Sequence, residues 1–568
     1  MSAQAPAIVI LGEGSVAAAR RVRDGLDGAA IHGLAGRTSD TDHVFDEFGV
    51  TLRQLFRDDV PIVAFCAAGI VIRTLAPLLQ DKRAEPPVIA VAEDGSAVVP
   101  LLGGLRGVND LARRIGAALG VQPAITTTGE VRFGATLEHP PPGYEIRNPG
   151  AGKRFMSDVL AGEHIRLKGQ APWLEATRLP FDPAGRLAIT VTVRDDEPGQ
   201  DELIFHPRAV VVAVAGGPED LPGRIGEALR QSRIAPQSVA AILAAERDAD
   251  RPEIHAASAV FGRPLRLLAH DGSPAQLARA AIPEAVEVSV PDASIAVAIA
   301  AAPLDPASIG RARGRVAIVG LGPGMPEWRT PEAARALAEA EDIVGYETYV
   351  RMAEPFRSGQ TVHASDNREE LDRARHALSL AAQGRRVAVV SSGDPGIFAM
   401  AAAVMEALDG ASNPGWRGVE IAVIPGISAA QAAAARAGAP LGHDFCVLSL
   451  SDNLKPWEII ERRLDLAAAA DLVLALYNPI SRARPWQLGR TVEILRSHRR
   501  PETPVILGRD VGRLDETMRQ VALADLTPGM VDMRTVILVG SSTTRTFPRA
   551  DGTAWVYTPR WYGAEPKR

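Results

Sequence analysis

Short runs of β-branched and aliphatic residues recur along this chain, separated by alanine-, leucine- and arginine-rich stretches. That alternation constrains the fold more than any other feature. Ile8-Val9-Ile10, Ile62-Val63-Ala64-Phe65, Val88-Ile89-Ala90-Val91, Val316-Ala317-Ile318-Val319, Val387-Ala388-Val389-Val390 and Val536-Ile537-Leu538-Val539 read as strands that are apolar on both faces. A strand without a polar face must be covered on both sides. In an alternating chain this means helices packed over mostly parallel sheets, so the expected fold class is α/β.

The length of 568 residues allows several such units, at roughly 100–200 residues each. Pro140-Pro141-Pro142-Gly143 marks one boundary, because consecutive prolines remove donors and fix an extended backbone. A second falls near Phe205-His206-Pro207, before the apolar run Ala209 to Val214, and a third where Pro, Arg and Gly cluster from Pro303 to Gly314. The expected domains are therefore 1–140, 141–206 and 207–303, a linker over 304–314, and 315–568 with subdomains of about 315–430 and 431–562.

The formal net charge of −6 gives no basic field for nucleic acid or an anionic membrane, so neither partner is expected. Cys66 and Cys446 are the only two thiols, too few for a cysteine-held iron–sulfur cluster or a disulfide framework. No apolar stretch nears the roughly 20 residues that span a bilayer, and Met1 to Leu11 has no basic region of a secretory signal. A cytoplasmic protein is expected. His32, His43, His139, His164, His206, His255 and His270 show no ligand-like spacing, and no metal is expected.

The chemistry gathers at strand ends in the C-terminal half. Gly320-Leu321-Gly322-Pro323-Gly324 follows one strand, and Thr330-Pro331-Glu332 then opens a helix with an N-cap, a proline at the first position and an acid in the first turn. Alone, such a turn is equally a tight connection or a place where backbone approaches a ligand. It departs from G-x-G-x-x-G, and no acid ends a second strand, which speaks against a dinucleotide. Ser391-Ser392-Gly393-Asp394-Pro395-Gly396, Pro425-Gly426-Ile427-Ser428-Ala429, Leu448-Ser449-Leu450-Ser451-Asp452 and Leu476-Tyr477-Asn478-Pro479 follow or end further strands. Ligands of open α/β sheets bind at that edge.

This ordered set resembles the tetrapyrrole methylase family (class III S-adenosylmethionine methyltransferases) over nearly all of 315–562. Within it, Val344-Gly345-Tyr346-Glu347-Thr348-Tyr349, the run to Phe398, Pro456-Trp457-Glu458 and Leu476-Tyr477-Asn478-Pro479 resemble the branch acting on precorrin-3B. The resemblance implies methylation at C-17 with ring contraction to precorrin-4 in cobalamin biosynthesis. It also implies two α/β subdomains with S-adenosyl-L-methionine in the cleft between them, and a homodimer. By the family motif, Gly322, Pro323 and Gly324 form the cleft floor. Asp394, Ile397, Ser428, Ala429, Tyr477 and Asn478 are the implied cofactor contacts, with turn capping the competing role for Asp394.

Ring contraction needs proton transfers, so polar residues near the cleft are candidates. These are Asp366, Glu369, Tyr346, Ser451, Asp452 and His443, each of which could equally be capping or solvated. The substrate's acetate and propionate groups suit Lys455, Arg482, Arg484, Arg509 and Arg513, which otherwise read as solvated cations.

In the N-terminal half, Cys66 to Arg73, Leu75 to Leu79, Asp81-Lys82, Val108 to Ala112 and Ile125 to Thr128 resemble the cobalt-precorrin-5A hydrolase family, which opens a lactone with loss of acetaldehyde. Three of its polar loops are altered. They stand as Leu102-Gly103-Gly104-Leu105-Arg106-Gly107-Val108-Asn109, Ala215-Gly216-Gly217-Pro218 and Leu243 to Asp248. The resemblance then implies a docking or substrate-handling module that could contact neighbouring pathway enzymes, with a working hydrolase as the alternative. Gly12-Glu13-Gly14-Ser15 reads as a structural βα turn, and Cys66 as a small buried hydrophobe.

Overall fold

A computed structural model describes residues 5–561 apart from 27, 81, 83, 84, 105, 218, 357, 358, 367, 368, 411, 412, 482 and 483. The chain divides into two compact units, Met1–Ala312 and Arg313–Arg568. The expected α/β class is what folds, with helices alternating with strands in both units. None of the described helices is long and apolar enough to cross a membrane.

The first unit holds three sheets. The first runs in the order His43–Phe45, Ala30–Leu34, Ala7–Ile10, Ile62–Phe65, Val88–Val91, Val98–Leu102. Its first five strands are mutually parallel and the sixth returns antiparallel. Ala7–Ile10, Ile62–Phe65 and Val88–Val91 are buried at every position, because helices cover both faces. A four-stranded sheet follows in the order Tyr144–Ile146, Glu202–Pro207, Leu187–Val191, Ile165–Lys168.

The third sheet of this unit runs Glu287–Asp292, Ile295–Ile299, Val210–Val214, Val239–Ala245, Leu265–Leu268, Arg311–Ala312. Its last strand corrects the expected linker over 304–314. Arg311 and Ala312 pair antiparallel with Leu267 and Arg266, so the chain belongs to the sheet through Ala312. The buried Arg266 guanidinium donates to the carbonyls of Ile309 at 2.6 Å, Gly310 at 2.8 Å and Ala307 at 3.2 Å, tying the segment down. Proline, arginine and glycine here make a sheet edge rather than a tether.

The second unit has two sheets that carry the strand-end motifs. The first is wholly parallel, in the order Thr361–Ser365, Asp342–Tyr346, Arg386–Ser391, Arg315–Gly320, Glu420–Ile424. The second runs Phe445–Ser449, Val473–Tyr477, Thr535–Val539, Pro504–Arg509, Thr517–Ala522. Only its first pair is parallel. The helix Ala429–Ala437 packs its alanines against Ala475, Ile506, Val536 and Leu538 of the second sheet. The changeover between subdomains therefore falls in Pro425-Gly426-Ile427-Ser428, just before the expected point. A three-stranded ribbon of Gly438–Ala439, Ala554–Tyr557 and Arg545–Pro548 completes the unit.

Candidate active site

Parallel strands place all their C-terminal ends on one edge, so the loops that follow them cluster without needing sequence proximity. In the second unit that edge carries 321–330, 392–399 and 425–428. Gly322 and Gly393 exchange two backbone hydrogen bonds, at 2.7 and 3.2 Å, and so zip two loops together. Gly426 lies against them. A Cβ there would meet the Gly393 carbonyl oxygen at 2.3 Å and Gly320 carbonyl carbon at 2.9 Å, both rigid backbone. Gly322 has φ +73, a left-handed backbone that favours glycine.

Asp394 holds this loop set in shape. One carboxylate oxygen accepts from the Gly396 amide at 2.8 Å and the other from the Gly426 amide at 3.1 Å. Ile397 is half-buried, and its amide donates to the Asp394 carbonyl. Pro323 is buried, while Gly324 approaches the Gly512 carbonyl so closely that a Cβ would stand 2.5 Å from it.

The second sheet supplies the facing groups. The Tyr477 hydroxyl accepts from the Ala430 amide at 2.9 Å, and burial pushes its phenol above the ordinary value. Ser428 is the N-cap of the helix Ala429–Ala437, forming a capping box with Gln431. Asn478 has φ +52, which asparagine tolerates, and donates to Ser449 Oγ at 3.0 Å. Phe398 presents a 52% exposed ring, 5.6 Å from the Tyr477 ring, and Lys455 Nζ stands 5.9 Å from the same ring. Burial lowers the Lys455 ammonium below its ordinary value, with Arg463 adding to the effect.

Arg513 bridges the two sheets' loops. It donates to the Pro323 carbonyl at 3.1 Å and to Ser392 Oγ at 3.3 Å. Beside it Asp510 is buried among Arg509, Arg534 and Arg513 at 3.0, 3.2 and 3.9 Å. Burial raises the Asp510 carboxyl in spite of those cations.

Residues 315–527 match the tetrapyrrole (corrin/porphyrin) methylases, and residues 50–130 match the N-terminal region of cobalamin synthesis protein G. The precorrin-3B C(17)-methyltransferase of Sinorhizobium sp is 53% identical over 250 residues, covering 44% of this chain and 97% of that protein. The chain belongs to the tetrapyrrole methylases. Cobalamin biosynthesis protein CobIJ of Mycobacterium tuberculosis is 54% identical over 253 residues, 44% of this chain and 48% of that protein. The match thus spans about half the length of that relative. The crystal structure of the methyltransferase CobJ shares 55% identity, covering 43% of this chain and all of that one, with a TM-score of 0.41.

Within the methylase unit the remaining candidates separate by position. Ser451 and Asp452 follow the strand Phe445–Ser449, next to Asn478 and on the loop that carries Lys455. The Ser451 amide donates to Ser449 Oγ at 3.3 Å, and Asp452 accepts from Gln487 at 3.0 Å. Asp366 and Glu369 are exposed beyond the outermost strand, Thr361–Ser365, two strands from the Ser391 end. Tyr346 ends the strand between and packs edge-on against Tyr349 at 5.3 Å. His443 precedes Phe445–Ser449 and so stands at the opposite edge from the loops.

The arginine candidates among the described residues engage protein partners. Arg484 is buried and donates to the Asn478 carbonyl at 3.2 Å, which makes it a support for the loop rather than an open cation. Arg509 pairs with Asp532 at 2.8 Å as well as with Asp510. Arg482 lies outside the described residues. Sequence reasoning passed over Phe398, Ser392, Ser449, Gly426 and Asp510. The Phe398 run and the glycine at each strand end were the available signals.

Proposed function

We propose that the chain transfers a methyl group from S-adenosyl-L-methionine to C-17 of precorrin-3B, with contraction of the ring, in cobalamin biosynthesis. The observation that carries the reading is the convergence of the Gly322, Gly393 and Gly426 loops and Phe398, at the edge of one sheet, with Tyr477 at a strand end of the other. The residues present fit the proposed cofactor. Two aromatic faces, the Ser392 hydroxyl and strand-end backbone suit a sulfonium cation with an aromatic base.

When bound, the cofactor supplies an electrophilic methyl group whose displacement leaves a neutral thioether. The chain's own contribution is alignment, and holding reactants in line is worth about 7–11 kcal/mol. The paired glycine loops and the Asp394 clamp fix the floor. Tyr477 fixes the first turn of the helix Ala429–Ala437, and Arg513 ties the two loop sets together. Lys455 stands beside Phe398, and it and Ser451 and Asp452 of the same loop are the groups we assign to proton transfer and carboxylate binding. Asp366, Glu369 and Tyr346 belong to the rim in this reading. The protein acts as a cytoplasmic homodimer, and its N-terminal unit serves docking or substrate handling.

The test is incubation of the pure protein with S-adenosylmethionine and precorrin-3B, read by mass spectrometry. The expected product is methylated and ring-contracted. Turnover of a cobalt-containing macrocycle alone, or methylation without contraction, would overturn the assignment. Asp452→Asn should lower kcat by about 10²-fold or more, the usual scale of general acid–base help, with cofactor affinity unchanged.

A further inference from the structure

Outside the methylase unit, the first sheet contains a feature that the methylase reading leaves unused. The chain leaves Ala7–Ile10, builds two strands on one side, then crosses to place Ile62–Phe65 on the other. That reversal opens a crevice at the carboxyl ends of the two central strands, the usual ligand position in such sheets. A cleft of about 770 Å³ lies there, within the 300–1,000 Å³ range typical of small-molecule sites.

Ser15 stands in the wall of this cleft. It closes the 3-10 turn Glu13–Ser15 and, with φ −87 and ψ −13, continues directly into the helix Val16–Asp24. The residue is 1% exposed and its hydroxyl has no hydrogen-bond partner. The helix Ala68–Leu75 starts at the same cleft without a side-chain cap, so its first-turn amides lie at the cleft.

Two charges complete the lining. Arg37 follows the strand Ala30–Leu34 and Glu93 follows Val88–Val91. Neither side chain forms an ion pair or hydrogen bond among the described residues, and the two do not pair with each other. The Glu93 carboxylate leans over the glycine turn, since a Cβ on Gly14 would stand 3.2 Å from its Oε1. Leu11, Phe65 and Ile70 give the remainder of the lining an apolar character. Burial pushes the Cys66 thiol up to about 11, which disfavours its thiolate.

We infer that this cleft binds a small organic acid with an apolar body that also carries a hydrogen-bond-donating group. Arg37 takes the carboxylate and Glu93 accepts from the donor. The inference does not rest on the methylase reading, because it uses only residues of the first unit.

Saturation-transfer NMR titrations of the full-length protein test it with three probes. These are phenyllactate, phenylpropionate without the hydroxyl, and phenylpropanediol without the carboxylate. Phenyllactate should bind, and each truncated probe should bind at least about tenfold more weakly, the scale of one charged hydrogen bond. Arg37→Gln should bring phenyllactate down to the level of the diol, and Glu93→Gln to the level of phenylpropionate. Absence of phenyllactate binding, equal affinity for the three probes, or affinities indifferent to Arg37→Gln and Glu93→Gln would each overturn the proposal.

Discussion

Gly426 is the residue on which the shape of the candidate methylase site depends most directly. Its neighbours on two sides are backbone atoms of Gly393 and Gly320, so no rotamer change can make room for a side chain. Gly426→Ala should therefore cost about 1–3 kcal/mol, the usual cost of overpacking, and weaken cofactor binding at least tenfold by about the same energy. Calorimetric titration with S-adenosylmethionine and denaturant unfolding would show both effects. Gly396→Ala is the control, because its new Cβ would meet only a side-chain oxygen of Asp394, at 3.2 Å. The Ser-Gly-Asp-Pro-Gly run made the Asp394 turn legible in advance. Tyr477 and Ala430 lie 47 positions apart and Arg513 and Pro323 lie 190 apart, so no local pattern encodes their contacts. The carbonyls and carboxylates that engage Arg484 and Arg509 likewise come from elsewhere in the chain.

At the level of elements, the parallel sheet of the methylase unit is braced at the start of one of its strands. Asp342 opens the strand Asp342–Tyr346 and is almost fully buried, accepting from His363 at 2.9 Å and from Arg385. His376, on the helix Glu370–Ala382, continues the chain to His363 at 3.1 Å. Burial would raise the Asp342 carboxyl, but hydrogen bonds from Arg385 and His363 outweigh it and hold the group below its ordinary value. A carboxyl with a lowered folded pKa gives stability that is present above its unfolded pKa and lost as pH falls through the folded one. Asp342→Asn should thus cost about 2 kcal/mol at neutral pH, the scale of hydrogen bonds to a charged group. The gap from wild type should begin to shrink below about pH 4, the ordinary carboxylate range, and close only as pH falls through the lower pKa of the native carboxyl. A gap that stayed constant across that range, in urea unfolding, would show that charge plays no part. The apolar strand runs were readable because a covered strand has only one composition. The His–His–Asp chain was not, since it joins two strands and a helix whose pairing follows from topology.

For the molecule as a whole, the division at Ala312 and Arg313 predicts that residues 313–568 fold alone and keep methyl transfer within about threefold, since a shift that small is below 1 kcal/mol. Comparison of kcat/KM for that fragment and the full chain checks this. Loss of activity on separation would instead make the first unit part of the catalyst. The first unit has a sharper requirement, set by the two-residue strand Arg311–Ala312. Residues 1–312 end with the Leu265–Leu268 strand covered, whereas a fragment stopped at 303 leaves its backbone amides and carbonyls bare. Bare edges of apolar strands template pairing with other chains. Light scattering should find the longer fragment monodisperse and the shorter one self-associating. Two residues at the seam between the units thus act as a guard against aggregation.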